Sequence, residues 1–120
     1  MVYISGRAKE FIKRNYDACG LENAILQVIE DLPAYLYLKL GKNEEFWRKE
    51  LDDPKSKIHV LHLLDGAIEY AINKAEDLSN KMGVRFCEYL RNSIERNWIG
   101  NWLAGFIKGM LSTYYGLIEV

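Results

Sequence analysis

Two histidines and an aspartate at three-residue intervals, His59-x-x-His62-x-x-Asp65, with Glu69 four residues on, are the best-spaced chemical groups in this chain. On a helix His62, Asp65 and Glu69 share a face and His59 lies one turn earlier. Imidazole with carboxylate is a ligand set for a divalent transition metal. The spacing matches neither the His-Glu-x-x-His of zinc hydrolases nor the Glu-x-x-His pairs of di-iron bundles. A complete site would need acidic help from another helix, for which Glu22, Glu30 or Asp31 could serve. The plainer reading, preferred here, makes His59 and His62 boundary residues on a solvated helix face, with no metal and no cofactor.

Nucleophilic chemistry has thinner support. Cys19 and Cys87 each sit on or beside an apolar face, where thiols are usually inert packing. Two cysteines suit a reduced cytoplasmic protein, although a single Cys19–Cys87 disulfide is the open alternative. No GxSxG, P-loop or GxGxxG motif is present. The acidic pairs Glu44-Glu45, Asp52-Asp53 and Glu76-Asp77 read as surface and capping charge. Of the paired ExxE…ExxD helices of a magnesium-dependent nucleotide pyrophosphatase, Glu50–Asp53 offers only one half.

The elements that would position these groups are helical. Ser5 can cap a helix over 6–19 with Ala8, Phe11, Ile12, Tyr16 and Cys19 on one face, and Gly20 stops it. Lys9, Lys13 and Arg14 share its wet side with Glu10 and Asp17. Residues 21–32 repeat the pattern, and Pro33 breaks or kinks the chain. Ala34–Leu40 is apolar enough for a buried strand, but no partner strand is visible, so it is read as helix. A short amphipathic turn follows around Phe46, Trp47 and Leu51. Asp53-Pro54 has the form of a helix start, from which an apolar repeat runs to Met82 and stops at Gly83. The last segment opens with Arg85/Glu88, Arg91/Glu95 and Glu88/Asn92/Arg96 at three- and four-residue spacings, a solvated face laced with ion pairs.

That last segment is the most hydrophobic. Phe86, Leu90, Ile94, Trp98, Trp102, Phe106, Met110 and Tyr114 fall four apart, so that on a helix each lies over the turn before it. If all were buried they would gross about 12–24 kcal/mol before ordering entropy, which marks a central core or interface helix. Gly105-x-x-x-Gly109 lies beside this row, a spacing that lets two helices approach closely, within the chain or across a two-fold axis. The expected architecture is an all-α, single-domain bundle over 1–120, of four to five helices. Its landmarks are a long central helix over about 54–82 and the aromatic helix over about 85–115, with an interruption near Asn97–Asn101 allowed for.

Bulk properties narrow the function classes. At 120 residues and 49% hydrophobic, the chain can bury one continuous core. Sixteen basic and 17 acidic residues leave a net charge of −1, evenly spread over the two halves, so there is no long-range field to draw in nucleic acid. Met1–Ser5 is too short for the apolar core of a leader peptide. Ile99–Ile118 is long enough to span a bilayer, but Asn101, Ser112, Thr113 and a near-central Lys108 argue against it, and no membrane span is expected.

One resemblance bears on the same segment. Leu103-Ala104-Gly105-Phe106…Gly109-Met110-Leu111-Ser112…Gly116…Glu119-Val120 resembles the helix-then-strand tail of vinyl-reductase-type small-molecule-binding domains. It covers under a fifth of the chain, and the cysteine-bearing strands that follow in that family are not in these 120 residues. The resemblance implies a fold that buries an apolar ligand and carries no site residue over.

With no catalytic motif and a surplus of large apolar side chains, the sequence is read as a non-enzymatic helical interaction protein. It is expected to be a homo-oligomer, a dimer first, that also binds another macromolecule. Trp98, Trp102, Phe106 and Met110 would be the anchors and Gly105 and Gly109 the close-approach points. The rivals are a carrier or sensor with the same row lining an apolar pocket, and a metal-dependent enzyme using His59, His62 and Asp65.

Overall fold

The computed structural model describes the backbone of residues 1–115 and the side chains through Thr113. Among these, eight α-helices and one 3-10 turn succeed one another, and the all-α class holds. The first three helices are α1 (Gly6–Tyr16, prolonged by the 3-10 turn Asp17–Cys19), α2 (Glu22–Glu30) and α3 (Leu32–Leu40). Next come α4 (Glu44–Asp52), the single turn α5 (Lys57–Val60) and α6 (Leu63–Met82). The last two are α7 (Phe86–Glu95) and α8 (Trp98–Tyr115).

Local chemistry accounts for most boundaries. Ser5 Oγ accepts from the Ala8 amide at 3.1 Å and starts α1, while left-handed Gly20 and Gly83 end the first helical stretch and α6. Pro33 sits in the first turn of α3, where its missing N–H has no helical partner to disappoint. Ala34–Leu40 is helix, as its lack of a partner strand predicts. Apolar on almost every side, α3 leaves Leu38 78% exposed.

Three expectations need correction. The count is eight rather than four to five, because both long segments are broken and the short turn expected around Phe46, Trp47 and Leu51 is a full helix, α4. The expected 54–82 helix does not start at Asp53-Pro54: the Asp53 carboxylate instead accepts from the Lys55 amide at 2.9 Å, and Ser56 caps α5. That turn ends at Leu61, His62 takes a left-handed φ of 58°, and α6 begins afresh. A straight helix could not turn Ile58 and His59 inward and still bury Leu63 and Leu64, as the molecule does. The segment over 85–115 breaks at Asn97, φ 61°, within the stretch where an interruption is allowed for; asparagine tolerates this conformation. Third, the charges of α7 are solvated but make no ion pair within 4.0 Å among the described residues; Arg96 lies over the Trp98 ring instead, at 5.7 Å.

One continuous core joins these elements. At its centre α8 packs against both α6 and α3. The α8 side chains that enter it are Ile99, Leu103, Ala104, Ile107 and Leu111, all at most 2% exposed. Opposite them α6 offers Ala67, Ala71 and Ala75 with Ile68 and Ile72. The N-terminal residues also contribute: Val2 and Ile4 are buried, the Val2 amide donates to the Glu30 carboxylate, and the Tyr3 amide donates to the Leu51 carbonyl at 2.7 Å. Sulfur joins Cys19 to Cys87 across 68 residues, with the two Cα atoms 5.3 Å apart, so the pair is bonded and not a pair of packed thiols.

Candidate functional site

The four-spaced aromatic row is not the core row. Ile99, Leu103, Ile107 and Leu111 fill the interior, and Trp98, Trp102, Phe106 and Met110, each one position earlier, are half-buried along the flank. Successive helix positions differ by about 100°, so the row beside the core row has one edge in contact and one edge open. Its members stack along the α6–α8 seam. The Trp98 ring lies 5.8 Å from Tyr89 and 6.5 Å from Trp102, and Phe106 lies 5.3 Å from Tyr70 of α6. Lys74 Nζ sits 5.0 Å over Trp102 and 5.6 Å over Tyr70, a cation on two electron-rich faces.

The glycines divide into two kinds. At Gly105 and Gly109 an added Cβ would meet nothing within 4 Å, and both residues are exposed. They therefore do not mediate close packing within the chain, the first of the two roles expected of their spacing. Close approaches occur elsewhere. A Cβ on Gly100 would fall 2.4 Å from the Tyr35 ring of α3, and one on Gly66 would touch Phe106 at 3.3 Å.

Between Tyr70, Lys74, Trp102, Phe106 and Met110 lies a trough of about 550 Å³, floored in part by Gly105 and Gly109. A second of about 690 Å³ lies on the α6 side of Phe106, with Glu69, Asn73 and Asp77 on its walls. Both open to solvent as grooves rather than closing as cavities. The face thus combines aromatic surface, a flat glycine strip and charges of both signs.

The histidine–carboxylate set is only partly assembled. His62 Nδ1 stands 3.7 Å from Asp65 Oδ2, but His62 is exposed and the buried Asp65 already accepts from Ser5 Oγ at 3.0 Å. His59 faces the other way: its Nε2 is 2.8 Å from the Leu51 carbonyl oxygen, and Tyr3 meets its ring edge-to-face at 5.3 Å. The left-handed His62 separates the two imidazoles by turning the chain between them. Glu69 is paired with Arg7 at 2.8 Å, and Glu30 with the Val2 amide. No group of three or more histidine, cysteine or acidic side chains that could hold a metal occurs among the described residues.

The sequence reading missed the roles of Tyr70 and Lys74, which complete the aromatic face from α6. Their four-residue spacing was available as a signal, but the core repeat of that helix masked it. Of the tail resembling vinyl-reductase-type domains, Leu103–Ser112 is helical, while Gly116, Glu119 and Val120 lie outside the described residues, as does the Tyr114 side chain. No helix among the described residues is long and apolar enough to cross a membrane. No protein-family model, curated protein or solved structure matches this chain.

Proposed function

We propose that this chain is a non-enzymatic helical assembly protein that self-associates through the open face of α6 and α8 and, once assembled, docks another macromolecule. The observation that carries this reading is the exposed Gly105–Gly109 strip bordered by half-buried Trp102, Phe106 and Met110. A helix with no side chains on one stripe admits a second helix at short axial distance, and the aromatic edges then bury against it. Aromatic residues and methionine are enriched at such interfaces, and the mixed charges of Lys74, Glu69 and Asp77 suit a surface that meets its own copy. A dimer is the first expectation. With this reading goes a cytoplasmic placement, in which reducing thiols would act on the Cys19–Cys87 bond.

Light scattering coupled to size-exclusion chromatography tests it. The wild-type chain should run as a dimer at micromolar concentration, and Gly105→Leu with Gly109→Leu should shift it to monomer while leaving helicity intact. A wild-type monomer at high micromolar concentration would overturn the proposal. Tryptophan quenching adds a second readout. Trp47 is 1% exposed with its Nε1 donating to the Gly41 carbonyl, so concentration-dependent protection from acrylamide reports on Trp98 and Trp102.

A second reading is favoured by the trough itself, whose volume is in the range of small-molecule sites of about 300–1,000 Å³. An apolar ligand lying across Trp102, Phe106 and Met110 would be seen as a co-purifying adduct in native mass spectrometry. The openness of the groove makes a packing partner the better occupant.

A further inference from the structure

The Cys19–Cys87 bond joins two sulfurs in unlike surroundings. Cys87 is in the first turn of α7, a ten-residue helix whose N-terminus receives no side-chain cap, with Glu88 as the acidic residue of that turn. It lines an open depression of about 750 Å³ together with Arg85, Glu88 and Arg91, two cations against one anion. Cys19 closes a 3-10 turn at the opposite polarity, next to left-handed Gly20. Its Sγ lies 4.0 Å from the Asn15 carbonyl oxygen. Asp17 shares that turn. Helix N-termini and cationic neighbours stabilise a thiolate, and carbonyl oxygens and carboxylates disfavour one.

We infer that Cys19–Cys87 is an exchangeable dithiol–disulfide pair, with Cys87 the sulfur that reacts with small thiols and disulfides and Cys19 the one that resolves. In the oxidising direction the Cys87 thiolate attacks one sulfur of a low-molecular-weight disulfide. The new bond forms at Cys87 Sγ, the old sulfur–sulfur bond breaks, and one thiolate leaves and takes up a proton. Cys19 then loses its proton and attacks Cys87 Sγ, expelling the second small thiol. Two protein thiols are oxidised and one small disulfide is reduced to two thiols; reduction by a small thiol follows the same path in reverse. The fold tolerates the open form because α1 has other ties. Ser5 and Arg7 are bonded to Asp65 and Glu69 of α6, and Ala8, Ile12 and Tyr16 are in the core.

The test uses the full chain as Cys19→Ser and, separately, Cys87→Ser, with iodoacetamide as probe. At pH 7 the thiol left in Cys19→Ser should be alkylated on the order of tenfold faster than the one left in Cys87→Ser. Adding Arg85→Gln and Arg91→Gln should slow it several-fold. Equal rates, or a faster Cys19, would overturn the inference. A readout on the wild-type chain does not depend on either variant folding: exposure to millimolar reduced glutathione, acid quench and peptide mass mapping. A glutathionyl adduct on Cys87 supports the assignment; an adduct on Cys19, or a bond that stays closed, refutes it.

Discussion

His59 shows how one residue can look like a ligand and act as a strut. Its ring nitrogen and the Tyr3 amide both meet the Leu51 carbonyl oxygen, so a single acceptor ties the N-terminal residues, the end of α4 and α5 together. His59→Ala should lower stability by about 2–3 kcal/mol, the cost of a buried bond plus an aromatic contact, seen as a lower denaturant midpoint. Added zinc should leave the wild-type midpoint unmoved. Tyr16, fully buried, gives a pH-dependent expectation. Burial pushes its phenol well above the usual range, so the unfolded chain loses this proton first, near pH 10. The folded state is therefore at full advantage below about pH 10 and loses it as pH rises toward the folded value. Melting curves between about pH 8 and pH 11 should show that alkaline loss, smaller in Tyr16→Phe. At this scale the sequence was a partial guide. Residue type and spacing nominated His59, His62 and Asp65, but a backbone torsion at His62 decided which way each would face, and histidine is not a residue from which a left-handed φ is read.

At the level of helices, the legible and illegible parts separate cleanly. Ser5, Gly20 and Gly83 announce their caps because each satisfies or permits a specific backbone geometry, and the structure puts them there. The core stripe of α8 was harder, since two four-spaced rows run side by side through Trp98–Leu111. Residue size favours the aromatic row, yet the aliphatic one is inside. The facing surface of α6 explains the choice: Ala67, Ala71 and Ala75 bring the two axes close, and branched aliphatics fit that gap where indole rings do not. Which row wins therefore depends on alanines of a partner helix more than twenty residues away from the stripe they face, which no pattern local to α8 contains. Gly100 makes the same point for α3. Gly100→Ala should destabilise the fold by about 1–3 kcal/mol despite the better helix propensity of alanine, because the methyl would enter the Tyr35 ring. Combining it with Tyr35→Ala should give less than the sum of the two losses, a coupling a thermal-melt cycle would detect. Gly105→Ala and Gly109→Ala should do the opposite in the protomer, raising the melting temperature slightly, since each methyl points into open space. If the α6–α8 face is an interface, the same changes should weaken association, so the two readouts move in opposite directions.

For the molecule as a whole, the Cys19–Cys87 bond closes most of the chain into one loop. Constraining an unfolded chain over that span stabilises by about 2–4 kcal/mol, so reduction should lower the melting temperature by roughly 10–20 °C while the cooperative transition persists. Circular dichroism melts with and without reductant would check this; a reduced chain with no transition would mean that the packing between helices is insufficient alone. Spacing foretold a helical chain, and composition one core and an uncharged overall field, but neither foretold that its two cysteines meet, which depends on how the first and seventh helices are brought together. The order of helices has one more consequence. α8 supplies the surface that α3 and α6 share, and it is the last of the described elements to emerge during synthesis. Until it does, a growing chain holds two apolar helix faces with nothing to cover them, so a nascent chain stalled before Trp98 should be sticky, protease-sensitive and a ready client for a ribosome-bound chaperone.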